Sequence, residues 1–100
     1  MYDMANIRKL KKFGELAPAA WEGFMAFDKA AMADGAVPAK TKELIALAVA
    51  MTTQCPYCIE IHTKRAKTAG CTQEEIAETV LVAAALRAGA AVTHGTHSLE

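Results

Sequence analysis

Charge of one sign is missing from this chain: eleven Lys and Arg balance eleven Asp and Glu. Without a net positive field there is no electrostatic case for nucleic acid. Glycine and proline are scarce, six and three respectively, which leaves few positions where a helix must stop. No apolar run approaches the ~20 residues of a membrane helix, so no membrane span is expected. The N-terminus lacks the charged-then-apolar pattern of a secretory leader. Three cysteines, an odd number, do not read as an extracellular disulfide framework. The expectation is a cytoplasmic protein whose cysteines have a chemical role. There is no internal repeat, no low-complexity tract and no strand-helix-strand pattern.

What the chain has in excess is apolar side chain. Hydrophobic residues make up 53% of it, against a usual ~45–50%. A 100-residue monomer has little interior in which to hide them, so contacts between subunits are expected. Abundant alanine favours helix throughout. The reading is one all-α domain over residues 1–100, with about five or six helices.

Met4, Ile7 and Leu10 have helical spacing, which predicts a short helix or arm within residues 1–15, broken at Gly14. Its cations Arg8, Lys9, Lys11 and Lys12 read as a solvated face. Pro18 opens a helix to about Ala33, with Trp21, Phe24, Met25, Phe27 and Met32 as a core or interface stripe. Asp34-Gly35 ends it. Pro38 starts a third helix to about Thr53, apolar from Leu44 to Met51. Pro56 starts a fourth, to about Ala69, stopped by Gly70. Thr72-Gln73-Glu74-Glu75 is a capping box opening a last, almost wholly apolar helix to Thr93-His94-Gly95. Arg87 is the one charge in its middle, either ion-paired or near an entrance to the site. Cys71 reads as an inert small residue and His94 as a C-terminal cap. Residues 96–100 form a tail, and Leu99-Glu100 looks like an expression-vector remnant.

The chemistry concentrates between Glu43 and His62. Cys55-Pro56-Tyr57-Cys58 is a Cys-x-x-Cys, and Pro56 suits the first helical position. Cys55 then falls at the N-cap and Cys58 in the first turn. Free N–H groups and the helix dipole there favour thiolate over thiol, which predicts lowered pKa values for both. Three residues of separation lets the sulfurs meet on one face, so a disulfide between them is geometrically open. His62, four residues after Cys58, shares that face and can exchange a proton with it. Glu43 lies on an apolar helix face with Ala46, Leu47 and Ala50. A partly buried carboxylate there can serve as a general base.

Glu43, Cys55, Cys58 and His62 at this spacing, after Lys-Glu-Leu-Ile-Ala-Leu-Ala-Val-Ala, resemble the AhpD-like alkylhydroperoxidases of the carboxymuconolactone decarboxylase family. The resemblance covers roughly residues 16 to 95. It implies that Cys58 attacks a hydroperoxide and becomes a sulfenic acid, and that Cys55 resolves it as a disulfide. His62 and Glu43 would be the proton relay. It implies no bound cofactor and no metal. The reductant would be an external dithiol, a lipoyl or thioredoxin-like protein, and the assembly a homotrimer or homohexamer. Members with a mycobacterial-type site carry a histidine before the second cysteine. Here that position is Tyr57, so one relay group is missing.

Two other chemistries compete. A lyase like the true carboxymuconolactone decarboxylases shares the fold without depending on the cysteine pair. A redox or metal-binding protein would use Cys55, Cys58 and His62 as zinc ligands with Glu43 as the fourth. Those first three lie on one helix stripe, whereas structural zinc sites usually draw on two elements. A thioredoxin-like oxidoreductase is disfavoured because no strand-helix-strand unit flanks the cysteines.

Overall fold

Helix after helix is started and stopped by local chemistry. A computed structural model describes residues 2–100, so the Met1 end of the expected N-terminal helix lies outside the described residues. A 3-10 segment, Met4–Leu10, is capped by Asp3, whose Oδ1 accepts the Ala5 N–H at 2.9 Å. Five α-helices follow: α1 Lys11–Leu16, α2 Pro18–Met32, α3 Ala39–Thr53, α4 Pro56–Thr68 and α5 Gln73–Gly95. The chain is all-α, and no strand occurs among the described residues.

Gly14 does not break the N-terminal segment as expected: α1 runs through it to Leu16. The stop comes instead at Ala17, which Pro18 forces out of the helical region (φ −143°, ψ 68°). Gly14 has a packing role. A Cβ there would sit 3.0 Å from Trp21 Cδ1. The Trp21 ring lies over that spot, between Phe13 and Phe24 at 5.6 and 5.7 Å.

Gln54, in the left-handed region at φ 56°, ends α3. Gly70, at φ +91°, turns the chain out of α4. Thr72 and Glu75 form the expected capping box of α5: Thr72 N–H donates to Glu75 Oε1 at 2.8 Å and Glu75 N–H to Thr72 Oγ1 at 3.1 Å.

Helix α3 is the central element, with α4 and α5 packed on it. Its inward face is Glu43, Leu47 and Ala50, spaced at i, i+4 and i+7. Leu47 and Ala66 are fully buried and Cys71 nearly so, with Leu44, Met51 and Ile76 half-buried around them. That core is small. The radius of gyration is 16.6 Å, where ~13 Å is usual for 100 residues. No residue of α2 is buried, and only Ala83 is buried on α5. The aromatic stripe of α2 is therefore not core in the single chain: Phe24 and Phe27 are exposed and Trp21 is half-buried. The expectation that no segment has membrane length needs correction as well. Gln73–Ser98 is one helical stretch long and apolar enough to cross a membrane. Its small residues are individually weak hydrophobes, but Arg87 alone interrupts them after Glu78, and helix length adds them up.

Candidate active site

Glu43 is the one charged side chain that is buried among the described residues. Burying a carboxylate without a partner is expensive, and here the partner is His62. Its Nδ1 lies 2.7 Å from Glu43 Oε2, and both side chains are mostly covered. A carboxylate can only accept, so the Nδ1 atom carries the proton. The other ring nitrogen, Nε2, is left for exchange with a reacting group. The two residues are 19 apart in sequence and on different helices, and the α3–α4 packing brings them together.

Cys55 takes the N-cap of α4, where its Sγ accepts the Cys58 N–H at 3.3 Å. The two sulfurs are 2.7 Å apart and both thiols are free. They form a dyad sharing one hydrogen bond. The Cys58 thiol, and then the Cys58 N–H, hold Cys55 below the ordinary thiol value of 9.0 against a smaller opposing effect of burial. Cys58 is pushed up to about 11 by its hydrogen bond to Cys55, by burial and by repulsion from the Cys55 thiolate. The sequence-based expectation of lowered values on both cysteines thus holds for Cys55 and fails for Cys58. One cap position receives the N–H, and the first anion suppresses the second.

Among the described residues no hydrogen bond joins His62 to either sulfur. The Glu43–His62 pair and the cysteine dyad stand one turn apart on α4, ~6 Å along its axis. Among the described residues the Tyr57 side chain hydrogen-bonds to neither pair. Its hydroxyl accepts from Asn6 Nδ2 at 3.2 Å and from the Asp3 N–H at 3.4 Å. Its ring meets Tyr2 edge-on at 5.7 Å. No sequence pattern signals this strap from the N-terminal segment, because 51 residues separate Asn6 from Tyr57.

Two open cavities flank the Glu43–His62 pair. One of ≈330 Å³ is lined by His62 with Trp21, Phe24 and Ile61. The other, ≈620 Å³, is lined by Glu43 with Met25 and Met32. Asp28 and Arg65 line both. A further apolar groove of ≈440 Å³ between α3 and α5 touches none of these groups.

The other residues singled out from sequence lie elsewhere. Arg87 lines a ≈170 Å³ cavity with Gln54 and Val80, away from Glu43 and His62. Cys71 is buried with its Sγ 3.7 Å from the Lys40 carbonyl, and burial pushes its thiol up. Exposed His94 sits in the last turn of α5, its ring 5.9 Å from His97. No group of three or more His, Cys, Asp or Glu able to hold a metal occurs among the described residues. The four candidate zinc ligands instead split into two pairs.

The sequence model described as "Carboxymuconolactone decarboxylase family" matches residues 18–100. An uncharacterized protein of the cox locus of Paracoccus denitrificans is 51% identical over 78 residues, covering 78% of this chain and 70% of that protein. An uncharacterized Haemophilus influenzae protein is 44% identical over 93 residues, covering 90% and 82%. Among solved structures, a carboxymuconolactone decarboxylase family protein from Legionella pneumophila superposes with a TM-score of 0.77 at 40% identity, covering 80% of this chain and 71% of that one. A Methanobacterium thermoautotrophicum protein superposes with a TM-score of 0.82 at 33% identity, covering 88% and 99%.

Proposed function

The chain belongs to the carboxymuconolactone decarboxylase family, and from that premise we propose that it is a thiol-dependent peroxidase of the AhpD-like kind. One observation supports this reading above others: a buried Glu43–His62 pair stands one helical turn from a dyad of free thiols 2.7 Å apart. A lyase has no need of two thiols sharing a proton.

In the proposed cycle the dyad passes its first proton to His62 Nε2, through a water, and the charge rests on Cys55. Transfer of the shared proton from Cys58 to Cys55 moves the thiolate to Cys58, on the His62 face of α4. The Cys58 sulfur attacks the outer oxygen of a hydroperoxide, the O–O bond breaks, and the alkoxide leaves. His62, held by Glu43, supplies the proton that makes it an alcohol. Cys58 is now a sulfenic acid. Cys55 attacks that sulfur, a disulfide forms, and hydroxide leaves as water with the Cys55 proton. An external dithiol, of lipoyl or thioredoxin type, then reduces the disulfide by exchange.

The test is stoichiometric. Reduced protein given one equivalent of cumene hydroperoxide should lose two thiols and yield a Cys55–Cys58 peptide, and Cys58→Ser should not react. Slow, unselective oxidation of all three cysteines would overturn the reading.

A further inference from the structure

Cys58, His62 and Arg65 stand at i, i+4 and i+7 of α4, so one stripe carries all three. Arg65 lies ~10 Å along the axis from Cys58. From this stripe and the cleft beside it, we propose that the space between α2 and α4 is a binding site for an amphipathic carboxylate. Its acyl chain lies against the α2 aromatics and its anionic head on Arg65. As a statement about substrate, namely an alkyl hydroperoxide bearing a carboxylate, this rests on the peroxidase reading. As a statement about a binding site it does not.

The walls suit such a ligand. Trp21, Phe24 and Ile61 make the ≈330 Å³ cavity apolar on the side where His62 enters. Apolar surface of this kind holds a hydrocarbon body, and a few polar groups orient it. Charge supplies the orientation. The ion pairs among the described residues are Lys40–Glu75, His62–Glu43 and Lys64–Glu60. Arg65 is in none of these pairs. The walls carry two cations, Arg65 and Lys29, and two acids, Asp28 and Glu43, so the head group is oriented by the unpaired guanidinium and not by a net charge. The planar guanidinium of Arg65 is the shape that grips a carboxylate by two hydrogen bonds. Arg65 reaches both cavities, so a head group on it leaves the chain free to run towards His62. Asp28 opposes an anion and confines the head to the Arg65 side. Arg65 touches no reacting atom in this arrangement and acts as a specificity residue.

The chain has a single tryptophan, Trp21, and it stands in the cleft wall. Its fluorescence therefore reports occupancy without any redox chemistry. Reduced full-length protein is titrated with decanoate and with decanol, which differ in the head group alone. Decanoate should bind about tenfold more tightly than decanol, the size of a charge-assisted hydrogen bond. Arg65→Met should abolish that difference, and Arg65→Lys should keep part of it, with circular dichroism confirming that each variant is helical. Equal affinity for the two ligands, no response to either, or a preference that survives Arg65→Met would overturn the proposal. The wild-type protein is separately tested with cumene hydroperoxide. A fatty-acid hydroperoxide is tested beside it, and if the protein reduces neither peroxide but still prefers decanoate, the peroxidase reading falls and the binding site stands.

Discussion

Cys55 and Cys58 share a motif, a helix turn and a proton, yet they titrate in opposite directions. Cys55 is held below 9.0 chiefly by the Cys58 thiol, and Cys58 is raised to about 11 chiefly by Cys55. For Cys55 the folded state favours the anion, so its contribution to stability is present above the unfolded value and lost as pH falls through the folded one. For Cys58 the folded state favours the thiol, so its contribution is present below 9.0 and lost as pH rises through about 11. Alkylation of the reduced protein by iodoacetamide should therefore show two inflections, one below 9.0 and one near 11. Cys55→Ser removes the neighbouring anion, so the Cys58 inflection should fall from about 11 towards 9.0. A Cys58 that still titrates near 11 in that variant would show that burial, and not the partner, sets its value. Sequence could name both cysteines because a Cys-x-x-Cys opening on Pro56 is a local pattern. It could not assign the proton, which depends on the contact between the two sulfurs and on the Cys58 N–H reaching Cys55 Sγ.

Helix boundaries follow the same division between local and distant causes. The starts at Pro18 and Pro56 and the capping box at Thr72 were legible because each is settled within four residues. Gly14 was misread because its reason, the Trp21 ring, lies in the next helix. The Glu43–His62 contact and the Asn6–Tyr57 strap were beyond reach of pattern, since both come from helix packing. Gly70 shows how much one local stop holds. At φ +91° it sits in open space, so an added Cβ meets nothing, and the cost of Gly70→Ala is purely conformational. That places the loss at about 1–2 kcal/mol. Urea unfolding should read it as a lower midpoint with an unchanged slope. Because the turn delivers Cys71 N–H to the Ala66 carbonyl, the variant should also loosen the small core at Leu47. A loss below ~0.5 kcal/mol would mean that the turn relaxes into another conformation.

The molecule as a whole leaves a large apolar surface uncovered in the single chain. Extents of 54 × 32 × 30 Å describe an elongated body in which α5 projects from a small core. Leu81, Val82, Leu86 and Val92 are 67, 58, 66 and 76% exposed along that helix. Burying four such side chains is worth on the order of 6–12 kcal/mol. Association costs about 4–15 kcal/mol. The α5 face alone therefore roughly balances that cost, and exposed Ile45 and Val49 on the adjoining face of α3 would tip it. Contact between copies would also cover the apolar excess that makes Gln73–Ser98 resemble a membrane span. Light scattering at micromolar concentration should give a mass of at least two chains, and a three-fold or six-fold multiple fits what the family resemblance implies. Leu86→Glu puts a charge into that face and should shift the protein to monomers. Leu86 is two-thirds exposed in the single chain, so the substitution should leave its helical signal unchanged. A wild-type monomer, or a Leu86→Glu variant of unaltered mass, would mean that α5 faces something other than its own kind.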